Sequence, residues 1–227
     1  MRILLLGRGK TGSLVATVAA DRGHSVRVLD EAQNHNAMAL TPPLLAGFEV
    51  VIDFTTPEAA VQNMRACLAT GAKMVVGTTG WYSHLGDMRS LAERRSAALL
   101  YGTNFSYGMQ ILFRLAETLR QEARGYTISI EETHHISKKD APSGTALSLQ
   151  EILRSVQPGE IDIRSNRVED VQGEHIITAR SQDDVLTLRH ESNSRRAFAD
   201  GAVRGAEWLQ SRTGCFDFHD VFSQIYA

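Results

Sequence analysis

The sequence predicts an α/β protein with a Rossmann-type parallel sheet domain and a smaller α+β domain whose sheet is mainly antiparallel. In the first hundred residues, short apolar runs alternate with helical patterns, and turn residues mark the junctions. After residue 126 the pattern becomes mainly strand-like, with one helix between the strands. We place the first domain at 1–106 and 197–227 and the second at 107–196, because the last long helix is expected to return to the first sheet.

The predicted first domain alternates strands with helices. Apolar runs of strand length lie at 2–6, 25–30, 49–54, 73–77 and 97–101. Helical patterns lie between them at 11–22, 57–70 and 82–95. Gly23 and Gly71 mark two helix ends, and Pro57 takes the first position of its helix. Strand–helix–strand units of this kind favour parallel pairing, since a parallel crossover needs room for a helix.

The predicted second domain begins with a helix at 108–123 whose apolar stripe is formed by Ile111, Leu112, Leu115 and Leu119. Strands are expected at 127–134, 175–180 and 185–190, and residues 181–184 join the last two as a hairpin. A helix at 145–156 covers one face of this sheet. The final helix, at 195–212, is spaced for one buried face formed by Phe198, Val203, Ala206 and Leu209.

The composition limits the function classes. The chain of 227 residues has a formal net charge of -2, from 24 basic and 26 acidic residues, so it has no general attraction to nucleic acid or an anionic membrane. Cys67 and Cys215 lack metal-type spacing, and we expect neither a disulfide framework nor a metal site. Because no apolar run reaches the length of a signal peptide or membrane span, we expect a cytoplasmic protein with a small-molecule partner.

A glycine-rich turn follows the first strand. Residues 7–12 match G-x-G-x-x-G at the start of a helix, where backbone N–H groups bind a pyrophosphate. An acidic residue ends the second strand, close to the position of a ribose-binding carboxylate. We therefore predict a dinucleotide site that includes Gly7, Arg8, Gly9, Lys10, Thr11, Gly12 and Asp30. The alternative is an incidental glycine turn.

The charges near this turn point to two cofactors. Asp30 favours NADH, because a carboxylate accepts hydrogen bonds from the free 2′-hydroxyl and repels a 2′-phosphate. Arg8 and Lys10 favour NADPH if they neutralise that phosphate, although they are equally well explained as solvated loop charges. Our hypothesis is that both NADH and NADPH are used.

Ligands of an open parallel sheet lie beyond the carboxyl ends of its strands. Small and hydroxyl-bearing residues follow three of the predicted strands, and such residues let a flat ring lie close to the backbone. The same residue types are common in ordinary loops. From these loops we assign to the cofactor site Phe54, Thr55, Gly77, Thr78, Thr79, Asn104 and Phe105.

The segment 134–146 combines titratable side chains with the start of a helix. Ser143 is a candidate N-cap, and Gly144 and Thr145 offer backbone N–H groups and a hydroxyl where the helix dipole favours an anion. A lysine a few residues upstream supplies a second anion-binding element. Two such elements in one loop indicate a substrate with two carboxylates. The alternative is a solvated His-Lys loop with an ordinary serine cap.

Two adjacent histidines precede this anion site. Hydride delivery to an unsaturated carbon requires a proton, and histidine titrates near neutrality. Neighbouring residues of a strand point to opposite faces, so His134 and His135 enter one pocket only if the strand ends or bulges there. Local chemistry does not choose between them.

These residues resemble the signature of the 4-hydroxy-tetrahydrodipicolinate reductase (dihydrodipicolinate reductase) family. The family pattern E-x-H-H-x-x-K-x-D-A-P-S-G-T-A is matched at 132–146, and the likeness continues at 53–55, 77–80, 104–106 and 196–202. The sequence departs from the family in two places: the glycine-rich turn is one residue shorter than G-x-x-G-x-x-G, and the stretch 31–47 is abbreviated. Both departures affect cofactor preference more than reaction type.

The resemblance implies reduction of 4-hydroxy-tetrahydrodipicolinate to tetrahydrodipicolinate with NAD(P)H, in lysine and diaminopimelate biosynthesis. It implies that His134 donates the proton and that His135 contacts the substrate. It also implies that Lys138 binds one carboxylate, that Gly144 and Thr145 bind the other, and that the second sheet builds a homotetramer. Lys139 falls where the family varies.

Two rival functions share the predicted first domain. Another two-domain dehydrogenase, acting on homoserine or a sugar, would need a different catalytic set, and the anion site disfavours a neutral sugar. A regulatory module that senses NAD(P)H would bind the cofactor without oxidising it. Consumption of NADH in the presence of the dicarboxylate distinguishes both from a reductase.

Overall fold

The computed structural model of the chain describes residues 1–138 and 140–227, so Lys139 lies outside the described residues. These residues form two compact units. Unit 1 comprises Met1–Ser106 and Arg195–Ala227, and unit 2 comprises Tyr107–Ser194. The C-terminal segment therefore belongs to unit 1, and it joins that unit two residues earlier than the predicted boundary.

The sheet of unit 1 has six strands, all of them parallel, in the order β10-β5-β4-β3-β1-β2. The strands are β1 (Arg2–Leu6), β2 (Ser25–Leu29), β3 (Val50–Asp53), β4 (Lys73–Val76), β5 (Ala98–Tyr101) and β10 (Gly214–Asp217). The parallel Rossmann-type sheet is thus confirmed. Its central strands are buried on both faces, as their continuous apolar runs predict.

The helices of unit 1 pack around this sheet. They are α1 (Lys10–Asp21), α2 (Pro42–Leu45), α3 (Pro57–Ala69), α4 (Leu85–Arg94), α7 (Arg196–Leu209) and α8 (Phe218–Ile225). Short 3-10 turns occupy His35–Ala37 and Tyr82–His84, so the helix predicted at 82–95 begins as a 3-10 turn. The sequence did not predict α2, α8 or β10.

The buried face of α7 differs in one residue from the prediction. Val203, Ala206 and Leu209 are fully buried, but Phe198 is only half-buried in the first turn of the helix. Small residues bring this helix close to the sheet loops. A Cβ placed at Gly201 would lie 1.9 Å from the carbonyl oxygen of Phe105, so only glycine permits this approach.

Unit 2 contains a four-stranded sheet in the order β7-β6-β8-β9. Its strands are β6 (Thr127–His134), β7 (Asp162–Arg167), β8 (Glu174–Arg180) and β9 (Val185–Glu191). Strand β6 pairs with β7 in parallel and with β8 antiparallel, and β8 and β9 form the predicted antiparallel hairpin. The sheet is therefore mixed, with antiparallel pairing predominant. Strand β7 was not predicted.

Helices α5 (Tyr107–Glu122) and α6 (Gly144–Leu153) pack in one apolar core with this sheet. The predicted stripe on α5 was wrong for two of its members, because Ile111 is 41% and Leu115 is 45% exposed. The buried stripe is formed by Met109, Leu112, Phe113 and Ala116, which follow the spacing i, i+3, i+4, i+7. In the part of the chain that the structure describes, the helices are too short or too polar to cross a membrane.

Candidate active site

The glycine-rich turn joins β1 to α1, and packing accounts for two of its glycines. Gly7 has a φ of +99°, and a Cβ there would lie 2.2 Å from the carbonyl oxygen of Phe54. A Cβ at Gly12 would lie 2.3 Å from the carbonyl oxygen of Gly7. Gly9 is different, since it caps α1 and a Cβ there would meet no atom within 4 Å. The helix N-terminus at Gly9 is therefore open to a pyrophosphate.

A cleft of about 390 Å³ lies beside this turn, within unit 1. The predicted cofactor residues that line it are Gly7, Arg8, Gly9, Asp30, Phe54 and Thr55. Sequence reasoning missed other lining residues, among them Glu31, Asn34, His35, Asn36, Thr56, Glu58, Gln62 and Asn63. Most of the missed residues come from the turns after β2 and from the first turns of α3. The cleft has the size of a ligand site, and its position beyond the strand ends fits a nucleotide.

Asp30 follows β2 at the wall of this cleft. Its carboxylate accepts a hydrogen bond from the backbone N–H of Gln33 at 3.0 Å, and its own N–H donates to the Gln33 side chain at 3.1 Å. The acid therefore also holds the turn after β2. One carboxylate oxygen is used there, and a carboxylate has further lone pairs to accept ribose hydroxyls.

Asp53, at the end of β3, organises two of the predicted cofactor loops. Its fully buried carboxylate accepts hydrogen bonds from the Thr55 hydroxyl at 2.7 Å, the Thr78 hydroxyl at 2.8 Å and the Asn63 amide at 2.8 Å. The Thr55 N–H donates to the same carboxylate at 3.0 Å. Burial raises the pKa of Asp53, and these hydrogen bonds oppose the rise. The Thr55 and Thr78 hydroxyls thus face the protein interior and fix the loops.

The remaining predicted cofactor residues fall into two groups. A Cβ at Gly77 would lie 2.2 Å from the Phe54 ring, so the glycine accommodates that ring. Phe105 is buried and packs against Phe218 with ring centroids 4.4 Å apart and the ring planes tilted by 47°, which makes it a core residue. Four further predicted residues, Lys10, Thr11, Thr79 and Asn104, do not line the cleft. Lys10 and Thr11 belong to the first turn of α1, and Thr79 follows Thr78. The Asn104 side chain accepts a hydrogen bond from the Ser106 N–H.

The second site lies at the end of β6, in unit 2, and is centred on Glu132. This side chain is fully buried. Its carboxylate accepts the Ser143 N–H at 3.0 and 3.2 Å and the Ser165 hydroxyl at 2.8 Å, and the Arg167 guanidinium lies 3.5 Å away. A buried carboxylate requires such partners. The sequence pattern included Glu132 but gave it no role.

Two buried histidines flank this carboxylate. The Nδ1 atom of His134 lies 3.5 Å from Glu132 Oε2, and the Nε2 atom of His175 lies 3.8 Å from the same oxygen. The two imidazole rings pack edge to face, with their centroids 5.1 Å apart. Burial lowers the pKa of His134 to about 4, with Glu132 opposing the shift and Lys138 and Arg167 adding to it, and burial lowers the pKa of His175 to about 3. Both rings are therefore neutral near pH 7 in the ligand-free protein. Sequence reasoning missed His175.

Strand β6 ends at His134, and a turn follows. The Lys138 N–H donates to the carbonyl oxygen of His135 at 3.0 Å, and the half-buried His135 ring contacts the Ser137 hydroxyl through Nδ1 at 2.7 Å. The Lys138 ammonium group pairs with Asp140 at 2.7 and 2.9 Å. His134 shares the buried strand face with Glu132, whereas His135 leaves the strand.

The predicted anion site is the first turn of α6. Ser143 is its N-cap and accepts the Ala146 N–H at 3.1 Å. Ser143 and Thr145 are buried, and the Gly144 N–H donates to the Asp140 carboxylate. The Ser143 hydroxyl also lies 3.4 Å from Nε2 of His175. The first turn of α6, which we predicted to bind an anion, thus binds the carboxylate of Asp140 in this structure.

Glu132, His134 and His175 each present one donor atom within 4.8 Å of the others, a spacing that a metal ion can span. The surrounding charge argues against that use. Arg167 contacts the Glu132 carboxylate, and Lys138 and Arg167 both lower the pKa of His134 through their positive charge. A further cation would be repelled by both.

Comparisons with known proteins identify the family of the chain. Residues 1–105 match the family described as dihydrodipicolinate reductase, N-terminus, and residues 108–222 match dihydrodipicolinate reductase, C-terminus. The 4-hydroxy-tetrahydrodipicolinate reductase of Christiangramia forsetii is 35% identical and aligns with 100% of this chain and 99% of its own length. That of Natronomonas pharaonis is also 35% identical, over 97% of this chain and 100% of its own.

A solved structure shows the same fold. The dipicolinate-bound dihydrodipicolinate reductase from Paenisporosarcina sp. TG-14 superimposes with a TM-score of 0.75 at 23% identity, covering 97% of this chain and 99% of that one. Both halves of the chain match the family, and the full-length relatives exceed 30% identity. The protein is therefore an oxidoreductase with a nucleotide-binding Rossmann domain, and it belongs to the dihydrodipicolinate reductase family.

Proposed function

We propose that this protein catalyses the NAD(P)H-dependent reduction of 4-hydroxy-tetrahydrodipicolinate to tetrahydrodipicolinate, in lysine and diaminopimelate biosynthesis. One observation carries the proposal. In unit 2, the buried carboxylate of Glu132 contacts both a titratable imidazole, His134, and the capped start of α6 through the Ser143 N–H. The candidate proton donor and the anion site therefore both contact the Glu132 carboxylate, an arrangement that suits the reduction of an unsaturated dicarboxylate.

Unit 1 provides the cofactor site. The bound nicotinamide supplies the hydride, which the protein's own side chains cannot supply. The open N-terminus of α1 at Gly9 receives the pyrophosphate, and Asp30 receives the ribose hydroxyls. The Asp53 network fixes the backbone of the loops after β3 and β4. These hydrogen bonds hold the loops in place without the cofactor, which reduces the entropy lost on binding.

We propose that both NADH and NADPH serve as hydride donors. Asp30 at the wall of the cleft favours the free hydroxyl of NADH, and Arg8 lines the same cleft with a positive charge that suits a 2′-phosphate. Initial rates with the two cofactors in parallel test this point. A cofactor that shows no turnover at saturating concentration would disprove dual use.

Unit 2 provides the substrate site and the proton. Lys138 binds one carboxylate, and Ser143, Gly144 and Thr145 bind the other at the start of α6. His135 contacts the substrate beside them. Water leaves from the 4-hydroxy position, a hydride adds to the ring, and the carbanion or enamine so formed takes one proton from His134. Each turnover consumes one reduced cofactor and one proton and releases one water.

The decisive experiment is cofactor oxidation, followed at 340 nm, with freshly prepared 4-hydroxy-tetrahydrodipicolinate. The variant His134→Gln should lower kcat with little change in cofactor affinity, because it removes the proton donor. The variant Lys138→Ala should mainly raise KM, because it removes a carboxylate partner. Arg154→Ala is the matched control, since Arg154 is a strongly exposed cation at the end of α6. Unchanged kinetics in both site variants would refute the assignment.

We further propose that the protein acts in the cytoplasm as a homotetramer. Val185 and Leu186, on the edge strand β9, are 45% and 48% exposed, and an apolar edge of this kind favours burial against another copy. Four chains of 25.0 kDa would have a mass of about 100 kDa. Light scattering after gel filtration measures the mass, and a monomer at micromolar concentration would contradict the proposal. Cell fractionation tests the location.

A further inference from the structure

A polar row crosses the sheet of unit 2 at the level of Glu132. The strand register pairs Glu132 with Ser165 on one side and with His175 on the other, and His175 pairs with His190. These residues lie on adjacent strands, so the row is built by strand pairing and not by one loop. Glu132 and His175 both contact His134 and Ser143, and Glu132 is the charged member of the two. It therefore links the proton donor to the helix start that binds the anion.

The charges around His134 keep its ring neutral without a ligand. On β6 the facing group is Glu132, in the following turn they are Lys138 and Asp140, and on β7 it is Arg167. Burial, Lys138 and Arg167 disfavour the imidazolium, whereas Glu132 and Asp140 favour it. His175, on β8, contacts the ring from the side and is itself neutral near pH 7. A ligand with two negative charges that takes the place of Asp140 at Lys138 and at the start of α6 would outweigh the two cations.

We propose that Glu132 is a positioning residue that couples the binding of a dicarboxylate at Lys138 and the start of α6 to the uptake of one proton by His134. This inference rests on the proposed function and deepens it. Nδ1 of the imidazole lies 3.5 Å from Glu132, so an Nδ1–H directed at that carboxylate leaves Nε2 as the atom that gains and gives the proton. The neutral ring takes one proton as the dianion binds, and the imidazolium returns that proton to the substrate carbon. The cycle balances at one proton for each hydride.

The surroundings of Nε2 support this division between the two nitrogens. A Cβ at Gly173 would lie 3.3 Å from Nε2 and 3.4 Å from Cδ2 of His134, so the glycine leaves space beside that edge of the ring. The Nδ1 atom, in contrast, is buried, makes no hydrogen bond with the described residues, and lies 3.5 Å from Glu132 Oε2. This separation is at the limit of a hydrogen bond, and protonation of the ring would shorten it by charge attraction.

Isothermal titration calorimetry measures the coupling directly. The probe is pyridine-2,6-dicarboxylate, added to protein saturated with NADH at pH 7 in phosphate, PIPES and Tris buffers. The dependence of the binding enthalpy on the buffer's ionisation enthalpy gives the number of protons taken up. We expect close to one for the wild type and close to zero for Glu132→Gln and for His134→Gln. Glu131→Gln should keep the wild-type value, since Glu131 pairs with Asn166 instead.

Two further measurements keep the test decisive. If Glu132→Gln does not fold, which thermal unfolding would show, Glu132→Asp replaces it, and its proton uptake should fall by half or more. Nitrogen-15 spectra of the histidines should show Nδ1–H for His134 in the free protein. Wild-type turnover without proton uptake would overturn the coupling but leave the proposed function intact. Absence of any cofactor oxidation would instead refute the proposed function.

Discussion

Alanine substitutions at the first and second glycines of the β1–α1 turn should have opposite consequences. At Gly7 the backbone has a φ of +99°, and a Cβ would lie 2.2 Å from the Phe54 carbonyl oxygen. The left-handed conformation costs an alanine about 1–2 kcal/mol, and displacing a packed backbone costs about 1–3 kcal/mol more. Gly7→Ala should therefore destabilise the protein by about 2–5 kcal/mol, which lowers Tm by about 5–15 °C for a chain of this size.

Gly9→Ala is the matched control. Gly9 has a φ of -69° and open space around its Cβ position, so alanine fits without strain. Loss of a glycine cap costs at most about 1 kcal/mol, or about 3 °C in Tm. The added methyl group nevertheless fills the space in front of the helix N-terminus. We expect NADH to bind at least about tenfold more weakly, equivalent to about 1.4 kcal/mol.

Differential scanning fluorimetry and NADH fluorescence titration measure the two effects on the same samples. Gly7→Ala should lose stability, and Gly9→Ala should lose cofactor affinity while it stays nearly as stable as the wild type. If both variants melt equally early, the packing argument for Gly7 is wrong. If Gly9→Ala binds NADH like the wild type, the pyrophosphate does not approach the start of α1.

Three further predictions concern charged side chains of unit 1. Asp30→Ala should raise kcat/KM with NADPH relative to NADH by about tenfold in initial-rate assays, because it removes the repulsion of a 2′-phosphate; an unchanged ratio would exclude Asp30 from the ribose site. Asp53→Asn should lower Tm and weaken NADH binding. The new asparagine amide group would face the Thr78 hydroxyl and the other donors that the carboxylate now accepts, which should cost about 2–4 kcal/mol of stability. A wild-type melting curve would contradict this. Burial alone would raise the pKa of Glu207, but hydrogen bonds from Arg22 and His24 outweigh burial and lower this pKa. The stability that the ionised Glu207 contributes is therefore present above the ordinary pKa of 4.5 and is lost as the pH falls through the lowered pKa. Thermal unfolding should thus separate Glu207→Gln from the wild type at pH 7, and the difference should shrink as the pH falls below 4.5.

The parts of the fold that follow from the sequence are those with strong local signals. Strands β1 to β6 are apolar runs or clear alternations, and their helices begin or end at glycine, proline or serine. The two unpredicted strands lack such signals. Residues 162–167 contain one apolar side chain, Ile163, and residues 214–217 form a short edge strand with a glycine and an aspartate. Each is a strand because a neighbouring strand offers it hydrogen bonds.

The cofactor site was predictable in its backbone and less so in its side chains. Glycine spacing locates the turn, because steric requirements at Gly7 and Gly12 are local. The hydroxyls of Thr55 and Thr78 were expected to face the cofactor, yet both donate to Asp53. A buried acid after an apolar strand is a signal that could have shown this, since such a carboxylate must find donors. The loops after β3 and β4 are the nearest source of donors.

The choice between His134 and His135 shows where sequence reasoning meets its limit. Strand alternation alone places Glu132 and His134 on one face, so a carboxylate two positions before the first histidine was available as an argument for it. The third member, His175, was not available in this way. Its pairing with Glu132 depends on the register of two strands joined by about forty residues, and no local pattern sets that register. The proximity of His134 to Glu132 is thus a local property of β6, whereas the enclosed environment of the His134 ring is a property of the whole sheet.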